Sequence, residues 1–217
     1  MLELFAHPFS SYCWKVLIPL YENGTAFEYR MIGPGHPENA AELARHTPTG
    51  RFPLLLDDGR AVLESSVIIE HLDLHYPGPI RFVPDDRAAA LEVRMLDRIF
   101  DNQVMTQMMR VVNDALRPSE RRDMVEVAEA KAMLERGYAW LDRWMQGREW
   151  ACGDFSLADC AAAPSLFYAD WVHPIAEEYI ALRGYRARLL ARPSVARTVE
   201  EARPYRPFFP PGAPDRD

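Results

Sequence analysis

The sequence predicts two unequal halves, a small mixed α/β domain followed by an all-helical one. Within residues 1–77, runs of strand period alternate with runs of helical period in the order β-α-β-α-β-β-α. Beyond Pro84 no strand signal recurs, and the apolar residues repeat at three or four positions. Proline and glycine concentrate between the two patterns, at Pro77, Gly78, Pro79 and Pro84. The expected limits are 1–77 for the α/β domain, 78–86 for a linker, 87–204 for a helical bundle and 205–217 for a proline-rich tail.

Leu2–Ala6 is a short apolar run suited to a buried strand. Ser10 and Ser11 follow a proline turn and offer N-caps to a helix over 12–22, where Tyr12, Val16 and Leu20 share a face. Pro19 inside that helix is expected to cost a hydrogen bond or cause a kink, and Asn23-Gly24 stops it. Phe27, Tyr29 and Met31 alternate with Glu28 and Arg30, which is strand period. A loop at 33–37 leads to a short helix over 38–46. Runs at 52–56 and 60–63 flank Asp57-Asp58-Gly59 and read as an antiparallel hairpin. Ser65 or Ser66 caps a helix that reaches about Tyr76. A βαβ start gives a parallel pair and the hairpin an antiparallel one, so the sheet is mixed.

In the second half, Asp85 is expected to cap a long helix in which Leu91, Met95 and Ile99 keep helical spacing, ended by Pro118. Ser119 is expected to open the next, with Val127, Leu134, Tyr138 and Leu141 inside and Gly147 beyond its end. A third runs over 156–171, and Pro174 and Pro193 punctuate two more. From Pro204 the chain is expected to be extended.

Composition narrows the function. The net charge is −7 over 217 residues, which disfavours nucleic acid and anionic membrane surfaces as partners. The three cysteines, Cys13, Cys152 and Cys160, cannot pair completely and show no zinc-ligand spacing. With no signal peptide and no long apolar run, the expected setting is the reducing cytoplasm.

Four segments could carry chemistry. Residues 7–13, His-Pro-Phe-Ser-Ser-Tyr-Cys, put hydroxyls and a thiol where a strand passes into a helix. Free N–H groups and the helix dipole favour an anion there, although taken alone the segment is explained by simple capping. Pro53 enters a strand, which fits either a cis peptide exposing the preceding backbone or an ordinary trans proline at a strand start. Glu64-Ser65-Ser66 precedes an apolar run, and a carboxylate beside a helix cap suits both ends of an amino acid. Ser156 and Asp159 have capping-box spacing, a folding signal.

In order along the chain, Arg51-Phe52-Pro53, Glu64-Ser65, Phe155-Ser156-Leu157-Ala158-Asp159 and Arg192-Pro193-Ser194-Val195 resemble the soluble glutathione transferase family. The resemblance extends from Leu2 to about Tyr205, and Ser10-Ser11-Tyr12-Cys13-Trp14-Lys15-Val16 looks like the serine-type, zeta- and phi-like bacterial members. It implies a thioredoxin-like N-terminal domain with a four-stranded mixed sheet and an all-α C-terminal bundle. It also implies glutathione as co-substrate, no metal, a small hydrophobic electrophile and a homodimer.

The resemblance assigns sulfur activation to Ser10, with Ser11 adjacent. Lowering a thiol pKa by two units needs about 2.7 kcal/mol of thiolate preference, within reach of one hydroxyl and a helix N-terminus. The backbone of Phe52 before Pro53 would hold the cysteinyl part of glutathione. Glu64 and Ser65 would hold the γ-glutamyl end, and His36 and Arg51 the glycyl carboxylate. Phe9, Met105, Met108, Met109 and Tyr168 would receive the electrophile, methionines being adaptable; ordinary helix packing explains them as well. Tyr12 offers a competing hydroxyl. Cys13 is either a buried spectator or the thiol of a glutathione-dependent thiol–disulfide reductase. His71 and His75, four apart, are expected on a solvated face rather than as metal ligands. Against all these stands a non-catalytic member of the same fold, acting as a binding or stress-response module. The tail aromatics Tyr205, Phe208 and Phe209 either pack on the helical domain or belong to a loose terminus.

Overall fold

The structure, a computed structural model, describes residues 1–217. The elements of the α/β part are β1 (Leu2–Ala6), α1 (Ser11–Glu22), β2 (Glu28–Met31), α2 (Pro37–His46), β3 (Leu54–Asp57), β4 (Arg60–Val62) and α3 (Ser65–His75). The sheet order is β2-β1-β3-β4. β1 pairs parallel with β2, Leu4 opposite Tyr29, and antiparallel with β3, Leu4 opposite Leu55. Strand alternation sorts the core: Leu2, Leu4, Ala6 and Leu55 face α1 and α3, whereas Phe5, Leu54 and Leu56 pack with Leu43 of α2 on the other side. This is the thioredoxin-like arrangement. α1 runs through Pro19 as one helix.

The helical part comprises α4 (Arg87–Ile99), a π-helical segment over Phe100–Met105, α5 (Thr106–Ala115), α6 (Met124–Met145), α7 (Leu157–Val172), α8 (Ile180–Ala191) and α9 (Pro193–Ala202). Every residue of α7 is buried, so the other helices are built around it. Its start is fixed from inside. The Asp159 carboxylate accepts from the backbone N–H of Ser156 at 2.9 Å, from Ala151 N–H at 2.9 Å and from the Tyr185 hydroxyl at 2.6 Å.

Four expectations need correction. Asp86, not Asp85, caps α4, its side chain accepting from Ala89 N–H. Ser119 opens only a 3₁₀ turn; α6 starts after Asp123, which takes the N–H groups of Val125 and Glu126 and so satisfies two orphan donors. His71 is not solvated: it is largely buried and bonded to Asp57 at 2.8 Å, because β3 passes beneath its face of α3. The tail is not extended. Arg203–Phe208 forms a 3₁₀ helix, and Phe209 is only 6% exposed. Ion pairs fold the segment back: Asp217 meets Arg203 at 3.0 Å and Arg206 at 2.7 Å, and Arg216 pairs with Asp170 of α7.

Buried charges clamp the halves together. Lys15 of α1 is 1% exposed and reaches Asp101 at 2.7 Å, Asp97 at 2.5 Å and Ser66 Oγ at 2.9 Å. Arg98 meets the same two carboxylates at 2.6 and 2.7 Å. Glu22 of α1 receives a two-pronged Arg192 contact at 2.7 Å.

Candidate active site

Two adjoining cavities open where α1 begins. One, of about 330 Å³, is mainly apolar; Phe9, Ser10, Met108, Tyr168 and Phe209 are among its walls. The other, of about 410 Å³, is polar, with Arg51, Pro53, Glu64, Ser65, Arg98 and Asp101 around it. Tyr12 and Phe52 line both and mark the seam.

At the seam the backbone is short of partners. Ser10 is the N-cap of α1 in extended conformation, yet its side chain does not cap the helix. The N–H groups of Ser11 and Tyr12 have no acceptor within the chain, and no acidic residue occupies the first turn. This leaves donors and the positive end of the dipole for an anion. Phe52, whose bond to Pro53 is cis, has neither its N–H nor its C=O hydrogen-bonded within the chain. A free donor and acceptor on one residue match an extended peptide laid alongside.

Across the polar cavity, Glu64 takes φ 68° immediately before α3, an unfavourable backbone for a side chain with a Cβ. Its carboxylate is exposed and makes no hydrogen bond, and no side chain caps α3. A carboxylate next to open helical N–H groups offers one partner for an ammonium and another for a carboxylate. Ser65 is buried at this end.

On the apolar side, the Tyr168 hydroxyl donates to Phe9 C=O at 3.0 Å, tying α7 to the loop before α1. Phe9 packs against Phe209 at 6.2 Å and Tyr168 at 5.5 Å between ring centres. Trp171 meets Phe209 at 5.1 Å. Tyr12 is held neutral, its pKa pushed up to about 12 by burial and then by the nearby Asp101. Burial likewise pushes the Cys13 thiol up to about 12, more than the adjacent Ser10 lowers it. That removes the thiolate on which a Cys13 reductase would depend.

The structure thus brings together Ser10, Ser11, Phe52, Pro53, Glu64, Ser65 and Arg51 from the expected glutathione set, and Phe9, Met108, Met109 and Tyr168 from the electrophile set. It leaves two out. His36 is 49% exposed, 3.5 Å from Glu38, and lines neither cavity. Met105 is buried in the core at the end of the π segment, whose wider turn shifts the residues around it in phase. Sequence reasoning missed Arg98, Asp101 and Asn102, because charges on a helix read as a solvated face. It included His7 in the 7–13 segment but gave it no role, its position at a strand end carrying no periodic signal.

Sequence profiles match twice: "Glutathione S-transferase, N-terminal domain" over residues 4–80 and "Glutathione S-transferase, C-terminal domain" over 104–193. A probable maleylacetoacetate isomerase of Vibrio cholerae is 26% identical, with 94% of this chain and 97% of that protein covered. A stringent starvation protein A homolog of Pasteurella multocida is also 26% identical, covering 94% and 92%. A glutathione S-transferase of Methylobacterium radiotolerans, solved in complex with glutathione sulfonate, is 30% identical, with a TM-score of 0.78 and coverage of 91% and 94%.

Proposed function

The chain belongs to the glutathione S-transferase family, and on that premise we propose a transferase that ionises the thiol of glutathione at the seam of its two cavities and directs it at a hydrophobic electrophile. The observation that carries this reading is the juxtaposition at α1: a Ser10 whose hydroxyl does not cap its helix beside two unpaired backbone N–H groups, between a polar and an apolar cavity. Ser10 supplies the hydroxyl hydrogen bond to sulfur, with Ser11 and the helix dipole assisting. Phe52 pairs with the cysteinyl backbone, and Glu64, Ser65 and the start of α3 hold the γ-glutamyl group. Arg51 takes the glycyl carboxylate; the position of His36 gives it no support in that role. Conjugation, isomerisation and dehalogenation all begin from this thiolate.

A homodimer belongs to the proposal. Support comes from apolar side chains left exposed on adjacent helices, Val67 and Leu74 on α3 and Leu91 and Met95 on α4, beside a groove of about 1080 Å³. The net charge and the reduced cysteines fit the cytoplasm as the proposed setting.

A second reading is a non-catalytic binding or stress-response module of the same fold, and the similarity to a stringent starvation protein A homolog supports its stress-response side. Calorimetric titration with glutathione, with thiolate absorbance near 240 nm followed against pH, separates the two. A bound thiol ionising about two units below its free value of ~8.5 is the expected result. Glutathione that binds with its thiol unperturbed leaves the module reading, and no binding at millimolar concentration removes the transferase reading.

A further inference from the structure

A further cavity, of about 610 Å³, lies between the loop that follows α7, the first turns of α8 and the tail, and it shares no wall residue with the two cavities at α1. Three arginines line it, Arg183 and Arg186 of α8 and Arg216 of the tail. One buried carboxylate serves two of them: Asp170 pairs with Arg216 and stands 3.2 Å from Arg186. The other two carboxylates at the wall do little to restore the balance. Glu177 is exposed and 4.0 Å from Arg183, and Asp217 is engaged by Arg203 and Arg206. A surplus of positive charge therefore faces the cavity.

Arg186 is the least compensated of the three. Its side chain is only 13% exposed, and neither Nε nor Nη2 makes a hydrogen bond. The Asp170 oxygen lies within ion-pair distance of Nη2 but outside hydrogen-bond geometry. Elsewhere this edge of a guanidinium is filled: Arg192 grips Glu22 and Arg94 grips Glu70, each through Nε and Nη2 at 2.7 or 2.8 Å. Burial lowers the pKa of Arg186 in spite of Asp170, as expected of a charge short of partners. Beside it the loop offers neutral donors. The N–H groups of Ala176 and Glu177, consecutive in the wall, have no acceptor within the chain. Successive free N–H groups next to guanidinium groups favour an anion with several oxygens.

We propose that this cavity binds a phosphate monoester, its phosphate facing Arg183, Arg186, Arg216 and the two N–H groups, and its organic body lying against Pro174, Ile175 and Ala187. Three terminal oxygens can address the arginines and the loop together, where a carboxylate has only two. The volume exceeds what a bare phosphate fills and falls in the range of small-molecule sites, roughly 300–1,000 Å³, which favours an ester over the free ion. Arg216 belongs to the segment that brings Phe209 to the apolar cavity, so an occupant also secures that segment. The site does not rest on the transferase reading.

The test is calorimetric titration at low ionic strength with phenyl phosphate, inorganic phosphate and phenol. Phenyl phosphate is expected to bind saturably and about 10-fold more tightly than inorganic phosphate, with phenol not binding. Arg186→Met should weaken phenyl phosphate by about 10-fold or more, and Arg183→Gln by about threefold. Arg183 is exposed, so its variant keeps the test decisive even where Arg186→Met does not fold. Arg51→Gln, which alters the polar cavity at α1 instead, should leave the affinity within about twofold. Inorganic phosphate binding as tightly as the ester overturns the ester and leaves a site for free phosphate. Phenol binding as tightly as phenyl phosphate overturns the anion site. So does the absence of binding at millimolar concentration, or binding that Arg51→Gln abolishes and the α8 variants leave intact. None of these results bears on the transferase reading, which the glutathione titration decides.

Discussion

Ser10 illustrates how much one residue's role depends on what it does not do. A helix-capping serine stabilises its own helix by about 1 kcal/mol and is occupied in doing so. Here the side chain does not cap its helix, so its removal should damage chemistry more than folding. Ser10→Ala is expected to lower kcat for any electrophile by about 10- to 100-fold, and to move the 240 nm thiolate titration of bound glutathione upward. Ser11→Ala should do less in both readouts, since Ser11 is buried. Cys13 gives the opposite expectation. With its thiol fully buried and ionising near 12, it should resist iodoacetamide at pH 8 in the native protein and react on unfolding. Cys13→Ala should leave conjugation within about twofold, and labelling of native Cys13 by glutathione disulfide would contradict this.

Elements were legible in the sequence where one physical signal dominated. A short apolar run located β1, alternation located β2, and Asp58-Gly59 located the hairpin, because each reflects constraints local to a few residues. The Ser156/Asp159 pair marked the start of α7 for the same reason. Signals failed where the deciding contact was distant. The row Leu91, Met95 and Ile99 is helical, yet Leu91 is 69% and Met95 43% exposed, and the core takes Ala90, Val93 and Leu96 instead. The π turn that follows has no signature in composition. The site divides the same way. Ser10, Pro53 and Glu64-Ser65 could be read from local order, whereas Asp101 depends on Lys15 from another domain half and His7 on a backbone bond two residues on. In the sequence Lys15 figured only within the run Ser10–Val16. Its burial between two carboxylates makes a definite prediction for α1 and α4. Lys15→Met leaves Asp97 and Asp101 with Arg98 alone and should cost about 3–5 kcal/mol in urea unfolding. Lys15→Met/Asp101→Leu should recover much of it, because the remaining Arg98–Asp97 pair is balanced. A single-variant loss under about 1 kcal/mol would mean that the cluster is better hydrated than its burial implies.

At the scale of the whole molecule, the exposed apolar face of α4 becomes informative. A helix that turns leucine and methionine outward, next to Val67 and Leu74 of α3, has an apolar surface that a second copy can cover. Leu91→Glu is expected to shift the sedimentation coefficient from dimer to monomer while leaving the far-ultraviolet spectrum unchanged, the residue being exposed within one chain. A wild-type protein that sediments as a monomer at micromolar concentration would refute the dimer directly.

The aromatic wall of the apolar cavity has a consequence in time rather than in space. Phe9 meets Phe209, and His7 meets Tyr205, so one side of the cavity joins residues far apart along the chain. On the ribosome the glutathione half can collapse long before Tyr205 and Phe209 leave the exit tunnel. Until then, a nascent protein with the helix end proposed to activate the thiol would lack the chamber proposed to select its target. Competence for chemistry is therefore delayed until synthesis reaches the segment that pins Asp217 between Arg203 and Arg206, and any product broken off earlier carries an open pocket.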